Sequence, residues 1–187
     1  MRKVIFSMGV SLDGYVSGPD GTFDWPGFGE EVFAFSIEEI RGVGVHLMGR
    51  RLYETMSYWD DPAQQAGFGE AEWTWARLWN PLPKVVFSRT VSSVGAAATL
   101  ATRSLSDEIE ALRAEPGEGD IAIGGATLAQ QAAELGLIDE YRMRVFPVLV
   151  GGGNTFFPHD RRRVDLELLQ THTFASGVQF LRYGVVR

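Results

Sequence analysis

Ile121-Ala122-Ile123-Gly124-Gly125-Ala126-Thr127 is a short apolar run that stops at two glycines, and a helical pattern from Leu128 to Leu135 begins at once. The order reads strand, tight turn, helix. Glycines let a backbone approach a ligand closely, and a helix start offers free N–H groups and the positive end of its dipole. Such a turn suits a phosphate or pyrophosphate. Many α/β proteins also carry Gly-Gly turns of no chemical use, so the stretch defines an architecture before it defines a ligand.

Two further strand ends point the same way. Val45-His46-Leu47-Met48-Gly49-Arg50-Arg51-Leu52-Tyr53-Glu54 again reads strand, glycine, helix, now with two arginines in the first helical turn. Cations oppose the dipole there, so paired arginines destabilise the helix unless an anion lies beside them; a solvated basic turn is the alternative. A third strand, Lys84 to Ser88, ends in Ser88-Arg89-Thr90. Ligands of α/β sheets collect at the C-terminal ends of strands. Glycine, guanidinium and hydroxyl groups at three such ends suggest one polyanionic ligand, of the size of a dinucleotide.

Composition bounds the rest. The 187 residues suit one domain, 1–187, and 45% hydrophobic content suits a globular core. A net charge of −7 argues against a broad nucleic-acid-binding face. With no cysteine, disulfides, thiolate metal sites and cysteine nucleophiles are excluded; His46, His159 and His172 lack ligand spacing, so no metal is expected. The apolar N-terminal run is broken by Ser7, Gly9 and Asp13, and no stretch approaches the roughly 20 apolar residues of a membrane span. A soluble, cytoplasmic protein acting on a small molecule, without membrane or nucleic acid, is expected.

Along the chain, strands are expected at residues 3–11, 43–48, 84–88, 120–123, 140–149, 164–174 and 178–186, with a weak one near 98–101. Helices are expected at 29–41, 50–57, 69–79, 105–114, where Ser106 is read as the N-cap, and 127–135. Residues 11–21, 58–68 and Gly151-Gly152-Gly153-Asn154 read as loops, and Ala175-Ser176-Gly177 as the turn of a closing hairpin. Trp73, Trp75 and Trp79 are expected to pack on the core or cover the sheet. The fold class is α/β: three layers, a mostly parallel central sheet with helices on both faces, and an antiparallel C-terminal hairpin.

These elements, in this order, resemble the dihydrofolate-reductase-like superfamily, and within it the reductase domain of the bacterial bifunctional deaminase–reductase of riboflavin biosynthesis. The markers are Ser11-Leu12-Asp13-Gly14, Met48-Gly49-Arg50-Arg51-Leu52-Tyr53-Glu54, Val86-Phe87-Ser88-Arg89-Thr90, Ile123-Gly124-Gly125-Ala126 and Pro147-Val148-Leu149-Val150-Gly151-Gly152-Gly153. The resemblance implies a stand-alone form, since the chain has neither room for the deaminase domain nor its zinc-ligand cysteines. It implies NADPH as cofactor. Gly124, Gly125, Ala126 and Thr127 would meet the pyrophosphate, with Gly49, Arg50 and Arg51 beside the phosphates. Ser88 and Arg89, with Arg50, would hold the 2′-phosphate, and Gly9, Val10 and Val16 would line the nicotinamide. Leu52 departs from the family's usual threonine, which removes one phosphate contact worth about 1 kcal/mol.

A nicotinamide reductase must place a hydride donor near its acceptor, exclude water and polarise the acceptor. In dihydrofolate reductases a carboxylate on the first helix, a few residues after a loop tryptophan, holds the substrate. Here Asp24 and Trp25 precede Glu30 and Glu31, and Glu30 has the matching separation. Acids in a first helical turn are also expected for the dipole alone. Asp13, Asp24 and Glu30 are the candidate catalytic residues, with Trp25 and Glu31 on the substrate; an Asp-Gly turn explains Asp13 equally well. The expected activity is NADPH-dependent reduction of a small heterocycle or imine, as in the pyrimidine reductase step of riboflavin biosynthesis. A non-enzymatic nucleotide-binding module is the alternative, and folate reduction ranks last. The resemblance also implies a homodimer through sheet and hairpin, with which the apolar character of 178–186 agrees.

Overall fold

The computed structural model describes residues 1–158 and 163–187, so His159 lies outside the described residues. Its elements are β1 (Val4–Ser11), β2 (Tyr15–Ser17), α1 (Glu30–Ile40), β3 (Val43–Gly49), α2 (Arg50–Met56), a 3₁₀ turn (Ser57–Asp60), α3 (Pro62–Gln65), α4 (Glu70–Trp79), β4 (Lys84–Phe87), β5 (Ala98–Leu100), α5 (Leu105–Ala114), β6 (Asp120–Gly124), α6 (Ala126–Glu134), β7 (Glu140–Phe146), β8 (Asn154–Thr155), β9 (Leu166–Thr173) and β10 (Gln179–Val185). The main sheet runs β5-β4-β3-β6-β1-β7-β10-β9. All pairs from β5 to β7 are parallel. β10 then pairs antiparallel with β7, and β9 with β10.

Strands in such a sheet are buried on both faces, which is why β6 and β3 read as near-continuous apolar runs. On one face Phe6, Leu47, Ile121 and Ile123 pack against Ile109 of α5 and Leu128 and Ala132 of α6. On the other, Met48 and Val86 meet Ile40 of α1 and Trp79 of α4. Val32 of α1 joins Phe146, Phe174 and Phe180 at the hairpin. Each fully buried Ile or Leu contributes about 1.5–3 kcal/mol. The expected three layers are present, and the tryptophans split: Trp79 is core, whereas Trp73 is 37% exposed.

Local chemistry moved several expected boundaries. The N-cap of α5 is Ser104, not Ser106: its extended backbone lets Oγ accept from the Asp107 amide at 3.2 Å. Residues 58–68 are not wholly loop, because Asp61 caps the short α3 with Pro62 at its first position. β7 stops at Phe146, before Pro147, which has no N–H to donate. Two expected loops meet in a small separate sheet, β2 with β8, where Asn154 Nδ2 donates to Ser17 Oγ at 2.8 Å. The apolar surface of the hairpin lies mainly on β9, with Val186 at 55% the exposed apolar residue of 178–186. Val178 and Phe180 are buried, while Leu166, Leu168 and Leu169 of the edge strand are 36%, 52% and 46% exposed.

Candidate functional site

The order of the strands places the site. β3 is followed by α2 and α4 on one face, and its neighbour β6 by α6 on the other. Chains that leave adjacent strands in opposite directions open a crevice between their C-terminal ends. Met48 pairs with Gly124 across that seam, so the Gly49-Arg50 and Gly124-Gly125 turns face each other.

Both helix starts at the seam are bare. Neither Gly49 nor Gly125 supplies a side-chain cap, and neither α2 nor α6 has an acid in its first turn. By contrast α1, α4 and α5 all carry acids there, and α3 and α5 are side-chain capped. In α6 the ladder begins with Ala129 N to Gly125 O at 3.1 Å, leaving the Ala126, Thr127 and Leu128 amides ahead of it. Gly125 sits at φ +89, a conformation that a side chain would strain. Gly124 needs to be glycine for a different reason: a Cβ there would lie 2.3 Å from Leu52 Cδ2 and 2.5 Å from His46 Cε1. Leu52 thus packs on the glycine turn.

The arginines divide. Arg50 forms an i,i+4 pair with Glu54, both Nη1–O distances 3.1 Å, which offsets its unfavourable place at the helix start. Arg51 and Arg89 are exposed and make no ion pair among the described residues. Ser88 Oγ accepts from the Thr90 and Val91 amides at 3.1 and 3.0 Å and lies 3.5 Å from Thr90 Oγ1, so it shapes the turn. Beside the seam His46 was missed by sequence reasoning. It stands edge-on to Trp79 at 5.2 Å, and its Nδ1 is buried without a partner. Burial, with the nearby Lys84 ammonium, pushes its pKa down to about 4, so the ring is neutral at pH 7.

Lys84 was missed as well. It is 6% exposed and makes no ion pair among the described residues, although the Asp60 carboxylate partly offsets its burial. Its ammonium donates to the Trp79 and Leu82 carbonyls at 2.6 and 2.8 Å and lies 4.8 Å from the Trp79 ring centre. It thereby satisfies carbonyls at the C-terminal end of α4, and burial lowers its pKa to about 8.

The candidates at the ends of β1 and α1 do not form one cluster. Asp13 is exposed, and its carboxylate ties two loops together. It accepts from Ser11 Oγ at 2.6 Å and from the Gly151 and Val150 amides at 2.8 and 3.1 Å, contacts that hold it below the usual carboxylate range. Glu31 faces the hairpin, where Oε2 accepts from Ala175 N at 3.0 Å and Oε1 lies 3.9 Å from His172 Nε2. Glu30 shares its helix face with Phe33, one turn on, and Phe33 packs against Trp59 and Trp75. Glu30 and Asp24 are exposed and have no partner among the described residues. Trp25 stands edge-on to Phe146 at 5.6 Å. A Cβ on Gly9 would lie 3.0 Å from that same Phe146 ring. Val10 and Val16 are buried in the core at 3% and 7%.

Beneath α1 the sheet carries a saturated charge network. Glu140, 1% exposed, receives Lys3, Arg142 and Arg182. Arg142 also reaches Asp120 at 3.0 Å, and Arg144 pairs with Glu39. Burial alone would raise the Glu140 pKa, but hydrogen bonds from Arg182, Lys3 and Arg142 outweigh it and hold it at about 2. Among the described residues no group of acids and histidines is arranged to hold a metal ion, and no helix is long and apolar enough to cross a membrane.

A mostly parallel sheet in this order, closed by an antiparallel hairpin, is the dihydrofolate-reductase-like architecture of riboflavin-type reductases. The family model of the RibD C-terminal domain matches residues 2–180, and the chain belongs to that family. It is 30% identical over 186 residues to the uncharacterized protein YyaP of Bacillus subtilis (strain 168), covering 97% of this chain and 94% of that one. In fold it is similar to a putative riboflavin biosynthesis protein from Shewanella sp. PV-4, with TM-score 0.73, 23% identity and full coverage of both chains. It is also similar to Acinetobacter baumannii RibD, with TM-score 0.70 and 18% identity, where it covers 100% of this chain and 58% of that one. The family is reductase-like.

Proposed function

We propose that the protein is an NADPH-dependent reductase of a small heterocyclic or imine-type substrate. The observation that carries this is the bare start of α6 behind the Gly124-Gly125 turn at the β3–β6 seam, with Arg51 and Arg89, which make no ion pair among the described residues, at the ends of the neighbouring strands. The donors present fit a dinucleotide. The Ala126, Thr127 and Leu128 amides suit a pyrophosphate, and Gly125 lets it approach. Arg89 and Ser88, with Arg51 nearby, suit a terminal phosphate dianion; this shifts the main guanidinium from Arg50, which Glu54 engages, to Arg51. The orphaned Nδ1 of His46 is an unfilled polar group next to the same turn.

A bound reduced nicotinamide would supply a hydride to the carbon of a C=N bond, whose nitrogen would keep the electron pair and need a proton. The chain's own part is to bind, orient and protonate. Gly9 admits the Phe146 ring close against β1, and we assign the wall they make to the nicotinamide. Trp25 keeps water from that wall. Glu30, exposed at the start of α1, is the carboxylate we assign to hold the acceptor nitrogen and relay a proton to it from water; Glu31 positions the hairpin instead. Asp13 fixes the loop that follows β1, and Asp24 guards the rim.

Titration with NADPH and NADH, followed by tryptophan quenching, tests the reading. Micromolar NADPH affinity, well above that for NADH and lost in Arg89→Ala, supports it; absence of binding to either overturns it. We further infer a homodimer through β9, whose Leu166, Leu168 and Leu169 leave an apolar edge in solvent. Sedimentation of Leu168→Lys as a monomer, against a dimeric parent, tests that part.

A further inference from the structure

Two side chains of α1 one turn apart, Glu31 and Phe35, both meet His172 of β9. The His172 ring lies parallel to Phe35, with 3° between the planes at 6.0 Å, and edge-on to Phe174 at 4.7 Å. Its Nε2 stands 3.9 Å from Glu31 Oε1, within range of an ion pair and beyond a hydrogen bond. The other oxygen, Glu31 Oε2, accepts from the Ala175 amide at 3.0 Å, in the turn of the same hairpin. One carboxylate thus ties the helix to the turn and faces an imidazole on the strand that leads into it.

Both groups that α1 presents favour the protonated imidazole. A carboxylate attracts the positive ring directly, and a ring face attracts a cation laid over it. The side chains of His172 and Glu31 are 47% and 53% exposed, so protons exchange with solvent. Among the described residues Glu31 is the acid within ion-pair range of His172. Further along α1, Glu38 pairs with Arg41, and Glu39 with Arg142 and Arg144. β10 brings Phe180 opposite His172, and the nearest acid along β9 itself is Glu167.

The hairpin turn presses on the loop in front of α1. A Cβ on Gly27 would lie 3.1 Å from Val178 Cγ2 and 3.6 Å from Ser176 Oγ, so turn and loop touch. In that loop Trp25 packs on the cluster of Phe146, Phe174 and Val178. We propose that His172 and Glu31 form a proton-operated latch: the protonated imidazole closes on the Glu31 carboxylate and the Phe35 face, draws the hairpin turn against α1 and resets Trp25. The latch closes as pH falls and opens as pH rises. It stands on contacts within the fold; only the placing of Trp25 beside an acceptor rests on the reductase reading.

The test is NMR of the full chain between about pH 5 and pH 8, the range in which histidine ordinarily titrates. It follows the His172 ring proton and the Trp25 indole N–H, each assigned by its own substitution, in the parent, Glu31→Gln and His172→Phe. Glutamine keeps an acceptor for the Ala175 amide and removes the charge. Phenylalanine keeps a ring between Phe35 and Phe174 and removes the proton. In the parent the Trp25 signal is expected to shift with the same midpoint as His172, and in both variants that shift is expected to be lost. A Trp25 signal that stays still in the parent, follows another midpoint, or still shifts in either variant overturns the proposal. NADPH titration of the same samples separates the two readings. Absence of NADPH binding with the Trp25 titration intact breaks the reductase reading alone, whereas NADPH binding with a Trp25 signal indifferent to His172 breaks this one alone.

Discussion

The N-terminal half of the sheet face under α1 and the C-terminal rim at the β3–β6 seam hold similar inventories of charge, used in opposite ways. Under α1 three cations converge on the buried Glu140, and Arg142 goes on to Asp120. At the seam two helices start with neither a side-chain cap nor an acid, and among the described residues two arginines make no ion pair and one imidazole nitrogen is buried without a partner. A buried polar group without its hydrogen bond destabilises by about 1–3 kcal/mol; the His46 nitrogen, the free amides of α6 and the exposed arginines are the groups that our proposed ligand would engage. Filled groups indicate a fold that is finished there. The contrast separates charge that builds the protein from charge that works for it.

The contrast breaks most visibly at Glu140. Glu140→Ala should destabilise by about 3–5 kcal/mol in urea unfolding, because three buried or half-buried cations lose their shared partner. A loss below about 1 kcal/mol would show that the network is not structural. Next in size is Gly124→Ala, whose Cβ meets Leu52 and His46 at under 3 Å; overpacking should cost about 1–3 kcal/mol. Pairing it with Leu52→Ala should recover part of that in the same assay, and no recovery would mean the backbone carries the strain.

Acid sensitivity sharpens the comparison. His46 has a folded pKa of about 4, below its ordinary 6.5, so the unfolded chain binds its proton first and stability falls as pH drops from about 6.5 to about 4. Glu140, held at about 2 instead of 4.5, contributes stability above pH 4.5 that is lost as pH falls through 2. Unfolding measured between pH 7 and 2 should therefore decline in two stages. His46→Gln should flatten the upper stage only, and an unchanged upper stage would remove His46 from the account.

At the seam the expectation is loss of binding without loss of stability. Arg89→Ala and Arg51→Ala should weaken NADPH about tenfold or more, worth about 1.4 kcal/mol, while melting temperature stays put. A fall in melting temperature without weaker binding would assign those arginines to the fold. The smallest effect belongs to Glu54→Gln. The Arg50–Glu54 pair is exposed and screened, so unfolding should change by no more than about 0.5 kcal/mol.

Much of this was legible in the chain. The Ile121–Gly125 and Val45–Gly49 runs specified strand, turn and helix through local periodicity and glycine, and so did the parallel sheet they imply. The opposite signs of the helix starts were also in the sequence: acids at α1, α4 and α5, arginines at α2. What the sequence left open was each side chain's partner. Glu30 and Glu31 are neighbours with the same chemistry, yet a rotation of about 100° per residue sends Glu31 to the hairpin and Glu30 to the Phe33 face. Asp13 read as a catalytic candidate and engages amides more than 130 positions away. His46 and Lys84 carried no motif; pairing between β3 and β4 sets them side by side. Backbone periodicity and turn chemistry are local and can be read from a few adjacent residues. Burial, register and ion pairing join residues distant in the chain, and only the folded sheet decides which polar groups are satisfied and which are left for a ligand.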